Sequence, residues 1–231
     1  VNFWYEFSCY NRYIIKFVDK GEKMKEFISN HPLITHKLSV LRDKNTSTKE
    51  FRELISEISV YLCYEATKDA TMYEKVIETP LTKMKTKVIN DDDCAFIPIL
   101  RAGMSMVEGI IKVIPNAKIG HIGLYRNEST LEPVEYYYKV PLNISKRKVF
   151  VLDPMLATGG SAVATIDRLK KDGVKDIKFL CIIASPEGIK MLKKFHPDVK
   201  IYCASMDECL NEKGYILPGL GDAGDRVYGT K

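Results

Sequence analysis

The stretch Val149–Ser161, Val-Phe-Val-Leu-Asp-Pro-Met-Leu-Ala-Thr-Gly-Gly-Ser, passes from a short apolar strand through an acid into a small-residue loop and the start of a helix. That order of residue types suits a sugar phosphate. Gly159 and Gly160 lack a Cβ, so loop amides can approach an anion closely, and the first turn of the following helix adds more such donors. Thr158 and Ser161 contribute hydroxyl donors, while an ionised Asp153 accepts from ribose hydroxyls. The acid also falls at a strand's carboxyl end, where open α/β sheets hold their ligands. The plainer reading is a strand–turn–helix with a glycine bend. The apolar run and the placement of the acid argue against it.

Two arginines have the same address. Arg101 follows the apolar Ala95–Leu100 and precedes Ala102-Gly103, and Arg126 follows Lys118–Leu124. Alone, each would be a surface ion-pair partner. At the ligand edge of a sheet, their planar guanidinium groups can grip pyrophosphate oxygens bidentately. Near the C-terminus, Gly219, Gly221 and Gly224 spell a dinucleotide fingerprint by letter. That fingerprint needs a strand before it, a helix after it and an acid about 20 residues further on. Only seven residues follow Gly224. A small-residue loop that lets main-chain N–H and C=O groups reach a base is a better fit, and composition alone leaves a glycine-rich loop with no ligand equally open.

Taken in order, these segments resemble those of uracil phosphoribosyltransferases, within the type I phosphoribosyltransferase family. Asp153–Ser161 is similar to the family's phosphoribosyl-pyrophosphate (PRPP) loop. Many type I members carry two adjacent acids there, and Pro154 in the second position is the form seen in the uracil enzymes. The similarity extends from about His31 to Lys231. It implies an α/β fold with a doubly wound, mostly parallel sheet and a small β-arm or hood. It implies a pentosyltransferase of pyrimidine salvage that makes UMP and pyrophosphate from uracil and PRPP. PRPP is then bound by Arg101, Arg126, Asp153, Pro154, Met155, Leu156, Ala157, Thr158, Gly159, Gly160, Ser161 and Asp222. Uracil is read by Ile216, Gly221, Asp222 and Ala223. Arg101, Asp153 and Asp222 are the catalytic candidates, with Asp222 placed to help uracil lose its N1 proton. The implied cofactor is Mg²⁺, carried mainly on PRPP and water rather than on protein ligands. A homodimer or higher homo-oligomer, and GTP as an allosteric activator, are implied too. Two rivals stay open: a non-catalytic regulator binding pyrimidine nucleotides and RNA, and a transferase whose purine base stacks on Tyr215.

These residues need elements to position them. Ser47–Glu50 fits a capping box, and Phe51, Leu54, Ile55, Ile58 and Leu62 follow on one helical face, giving a helix to about Thr67. That face is a core seam, or a dimer surface if left exposed. Segments 75–79 and 86–89 read as an edge hairpin, and 134–139, with three tyrosines in a row, as an extended arm. Strands are expected at 95–100, 118–124, 148–152, 176–184 and 199–204. Helices are expected from Met104, from Ser161 to a stop at Gly173, and from Pro186 behind Ser185. Strand–helix alternation with continuously apolar strands means a parallel sheet covered on both faces.

The bulk properties set outer bounds. The chain has 231 residues, 45% of them hydrophobic, which suits one domain over 24–231. Its net charge of +5 comes from scattered lysines, which reads as a solvated surface rather than a nucleic-acid footprint, and anionic substrates fit the balance equally well. No apolar run reaches the roughly 18 residues of a membrane span. Six cysteines contain no Cys-x-x-Cys, and four histidines have no metal-ligand spacing. Free thiols and a reducing, cytoplasmic setting are expected. Residues 1–23 are crowded with aromatics and unlike the rest. Lys20–Lys23 ahead of Met24 fits codons spelling a ribosome-binding site, so 1–23 reads as an over-called leader. The alternative is a genuine extension that docks its aromatics.

Overall fold

The computed structural model describes residues 26–126 and 133–230. The reading of 1–23 and Met24 lies outside them. In chain order the elements are β1 (Glu26–Ile28), α1 (Pro32–Arg42), α2 (Thr48–Ala66), β2 (Met72–Glu78), β3 (Lys83–Ile89), β4 (Cys94–Leu100), α3 (Met104–Val113), β5 (Lys118–Ile119), β6 (His121–Arg126) and β7 (Pro133–Lys139). They continue with β8 (Lys148–Leu152), β9 (Met155–Leu156), α4 (Gly160–Lys171), β10 (Asp176–Ala184), α5 (Pro186–Phe195), β11 (Lys200–Met206), β12 (Cys209–Leu210), β13 (Ile216–Leu217) and α6 (Ala223–Tyr228).

The main sheet runs β1-β11-β10-β8-β4-β6-β7, with β5 beside β4 and β9 beside β10. Every pairing along it is parallel except β6 with β7. The chain builds outward from the middle in two directions. From β4 it proceeds through α3 to β6 and β7; from β8 it proceeds through α4, β10 and α5 to β11. The direction reverses between β4 and β8, which pair in register from Cys94↔Lys148 to Pro98↔Leu152. Such a reversal opens a crevice at the strands' carboxyl ends. Arg101 and Asp153 are the first residues beyond those two ends.

Alternate strand residues feed two cores. Phe96, Phe150, Leu180 and Ile182 face α1, α2, α3 and α6. Ile97, Val151, Phe179 and Cys181 face α4 and α5. Phe96 and Phe150 stack with ring centroids 4.7 Å apart. The apolar face of α2 is core: Phe51, Leu54, Ile55, Ile58 and Leu62 are all buried, and Ser47 caps the helix by accepting from Glu50 N–H at 3.2 Å. α4 ends as its sequence says, with Gly173 at φ +84° and Val174 N–H closing on Leu169 O.

Several local expectations are corrected. The strand at 118–124 is broken at Gly120, where a Cβ would lie 2.6 Å from Ile97 Cδ1. The tyrosine-rich arm is an edge strand of the main sheet, antiparallel to β6. The edge hairpin exists as β2–β3, but it forms a sheet of its own. α1 and α6 carried no helix expectation. His31 caps α1 through its imidazole Nδ1, an N-cap type that sequence rules do not favour.

Candidate active site

Asp153 stands at the end of β8, partly buried, with its carboxylate accepting from Met155 N–H at 3.3 Å. Burial pushes its pKa up to about 7, and the Met155 amide only partly opposes that. The chain then dips through β9, where Ile182 and Ile183 N–H bond to Pro154 O and Ser185 N–H bonds to Leu156 O. Those carbonyls are committed to β10, and the Leu156 side chain is core. Met155 and Ala157 open instead onto a cleft of about 240 Å³.

Gly159 takes φ +83° as the N-cap of α4, and no side chain caps the helix. The first amides of α4 have no intrahelical acceptor, and a glycine N-cap brings no side chain to them, the arrangement that accepts a phosphate. α5 supports the loop from behind. Ser185 Oγ donates to Ala157 O at 2.7 Å and accepts from Gly188 N–H. Gly188 packs so closely that a Cβ there would lie 2.4 Å from Ala157 O.

Arg101 is exposed just past β4, joined to Leu100 by a cis peptide bond. Its guanidinium carbon lies 5.7 Å from the Tyr228 ring centre, and Tyr228 Oη donates to Arg101 O. Arg126 is the last residue of β6; its side chain lies outside the described residues, as do 127–132. On the far wall of the cleft are Tyr215, Asp222, Ala223 and Gly224. Asp222 caps α6 by accepting from Asp225 N–H at 2.9 Å. The fold thus brings Asp153, Met155 and Ala157 to face Asp222 and Ala223 across one space, with Ala102 beside them. Two expected base-reading residues, Ile216 and Gly221, are not among those lining the cleft: Ile216 is buried in β13, and Gly221 is exposed at φ +79°.

Residues 28–230 match the family model described as uracil phosphoribosyltransferase. The chain belongs to the uracil phosphoribosyltransferase family. A uracil phosphoribosyltransferase of Geobacillus sp. (strain WCH70) is 59% identical over 207 residues, covering 90% of this chain and 99% of that protein. A solved protein from Aquifex aeolicus superposes with a TM-score of 0.85 at 41% identity, covering 89% of this chain and 99% of that one. Adenine phosphoribosyltransferase from Trypanosoma brucei, solved with AMP, pyrophosphate and ribose-5-phosphate, reaches a TM-score of 0.54 at 13% identity over 87% of this chain and 89% of that one. At that distance it shows the shared fold alone.

Within this uracil phosphoribosyltransferase family member, sequence reasoning passed over a set of residues that hold the tail loop. Asp207, just past β11, has a buried side chain paired with Arg42 at 2.5 Å. Asp207 also accepts from Gly219 N–H, and Arg42 donates to Gly219 O. Arg226 bonds to Leu220 O and reaches Leu41 O on α1. The signal that could have found Asp207 is the one that marked Asp153: an acid directly after an apolar strand.

Proposed function

We propose that this chain transfers the 5-phosphoribosyl group of PRPP to uracil, giving UMP and pyrophosphate. One observation carries the reading: Asp153, Met155 and Ala157, on the loop that leads into α4, and the Asp222–Ala223 segment line a single cleft in a member of this family. Loop 153–161 holds the ribose 5-phosphate, with the first α4 amides on the phosphate and Asp153 on the ribose hydroxyls. Arg101 and Arg126 hold the pyrophosphate. As the anomeric carbon parts from pyrophosphate and bonds to uracil N1, the arginines stabilise the departing charge and Asp153 fixes the sugar's orientation. Asp222 takes the N1 proton, directly or through water.

The donor set fits Mg²⁺ as cofactor. Two carboxylates, Asp153 and Asp222, line the cleft, and an ion that keeps much of its water shell needs no denser protein cage. They would hold the shell of an ion carried on PRPP, which when bound neutralises pyrophosphate charge. We place the enzyme in the cytoplasm, where buried free thiols such as Cys63, its pKa pushed up to about 12 by burial, stay reduced. We propose it works as a single domain over 24–231 and as a homodimer or larger homo-oligomer. GTP activation is carried over from the family and is read by the rate against GTP at low PRPP.

The direct test incubates the protein with PRPP and Mg²⁺ and either uracil, cytosine or hypoxanthine, separating products by chromatography. UMP from uracil alone is expected. A nucleotide formed from hypoxanthine or cytosine but not from uracil overturns the reading.

A further inference from the structure

Between the two parts of the proposed base-reading segment, Ile216 and Gly221–Ala223, lies Gly219, and its backbone is held in an unusual way. Its N–H donates to Asp207 Oδ2 at 2.9 Å, and its C=O accepts from Arg42 Nη1 at 2.6 Å. Arg42 and Asp207 are joined by two parallel bonds, Nη1 to Oδ2 at 2.6 Å and Nη2 to Oδ1 at 2.5 Å. Ser205 Oγ donates to the remaining side of Oδ1 at 3.2 Å. Each carboxylate oxygen therefore accepts twice, and one guanidinium nitrogen serves both the carboxylate and the glycine.

The glycine cannot move independently of its neighbours. It sits at φ +67°, and a Cβ built on it would lie 2.1 Å from Ile216 O. The chain thus folds back on itself between 216 and 219, so that fixing Gly219 fixes the Ile216 carbonyl. One residue on, Leu220 O is taken by Arg226, whose guanidinium also reaches Leu41 O and Asp43 O at the end of α1. The loop is clamped against the C-terminus of α1 by two arginines, neither of which lines the cleft.

We infer that Arg42 and Asp207 are positioning residues for base recognition, setting through Gly219 the spacing between Ile216 and Gly221–Ala223. A backbone-lined pocket discriminates only if its amides and carbonyls stand still, because main-chain groups have no rotamers with which to adjust. A planar five-donor fork can serve a carboxylate and a carbonyl together; an ammonium on a flexible stem cannot hold that geometry. The inference rests on the proposed reading that uracil binds at this segment.

Arg42→Lys and Asp207→Asn test it in the full chain. Each should raise KM for uracil by roughly tenfold or more, with KM for PRPP and kcat within about twofold of wild type. UMP binding should weaken while ribose 5-phosphate binding does not. Equal loss for both ligands, or a lowered melting temperature with KM for uracil unchanged, overturns the inference. Hydrogen exchange on the wild type gives a reading independent of how the variants fold. The Gly219 amide, which donates to Asp207 and not to the base, should be as protected in the free enzyme as with UMP bound. Protection that appears only with UMP overturns pre-organisation. If wild-type enzyme makes no UMP at all, the functional reading fails instead, and the two failures are distinct.

Discussion

At pH 6 most molecules carry Asp153 as the neutral acid, because burial holds its pKa at about 7. Only the carboxylate accepts from both ribose hydroxyls, so kcat/KM for PRPP should be flat above pH 7. It should fall by about tenfold per pH unit below it, since that ratio reports the free enzyme. A profile flat from pH 5 to 8 would remove Asp153 from ribose binding. The same shift is a stability cost. An unfolded aspartate titrates near 3.9, so between about pH 4 and pH 7 the native state binds the extra proton and stability falls as pH rises. Asp153→Asn removes that dependence. Above pH 7 it should melt higher than wild type, by an amount worth at most a few kcal/mol, while kcat/KM for PRPP drops by roughly 10²-fold or more. Arg101→Ala should lose a similar factor with its melting temperature unchanged, because the side chain is exposed and its one described contact is the Tyr228 ring. Both residues were legible because an acid or arginine directly after an apolar strand is a local pattern. Arg42 was not, since its partners Asp207 and Gly219 lie far along the chain.

α5 shows how an element with no residue on the cleft wall can govern the site. Its start was readable, since Ser185-Pro186 is a strong N-terminal signal, and the structure places Ser185 as its cap. What the sequence did not carry is that the same hydroxyl holds Ala157 O and that Gly188 lies under Leu156 and Ala157. A glycine required by a tertiary approach looks like any other glycine within a helix. Ser185→Ala should cost about 1 kcal/mol as a lost cap, read by denaturant unfolding, and raise KM for PRPP more than KM for uracil. Gly188→Ala is the harsher probe. Its Cβ would fall 2.4 and 2.5 Å from two backbone carbonyls, which cannot rotate away. Helix propensity alone would make that change favourable by up to about 1 kcal/mol. A net loss of stability, with PRPP binding impaired, is therefore the expected sign. A variant that is more stable and fully active would show that the loop does not depend on this packing.

At the scale of the whole molecule, one element has no support from the core among the described residues. The parallel sheet and its two covered faces were legible from the alternation of apolar strands with helices, but the destination of the β2–β3 hairpin was not. In the folded chain it stands as a separate two-stranded sheet, exposed along nearly its whole length. Its register sorts the residues by face. One face pairs Tyr73 with Val88, Lys75 with Thr86 and Ile77 with Met84, while the other pairs Met72 with Ile89, Glu74 with Lys87, Val76 with Lys85 and Glu78 with Lys83. The second face mixes two Glu–Lys pairs with exposed Met72, Val76 and Ile89; the first is the more apolar, exposed on Tyr73, Ile77 and Met84 with Lys75 as its one charge. A lone two-stranded hairpin is only marginally stable in water, and an apolar face on it is a cost unless something covers it. The proposed homo-oligomer supplies that cover. In sedimentation velocity at micromolar concentration, the wild type should run as a dimer or larger. Ile77→Asp paired with Met84→Asp should shift it toward monomer, and Glu74→Gln paired with Lys87→Gln on the opposite face should not. A wild type that sediments as a monomer removes the oligomer, and one that stays assembled after the paired aspartates moves the interface away from this face.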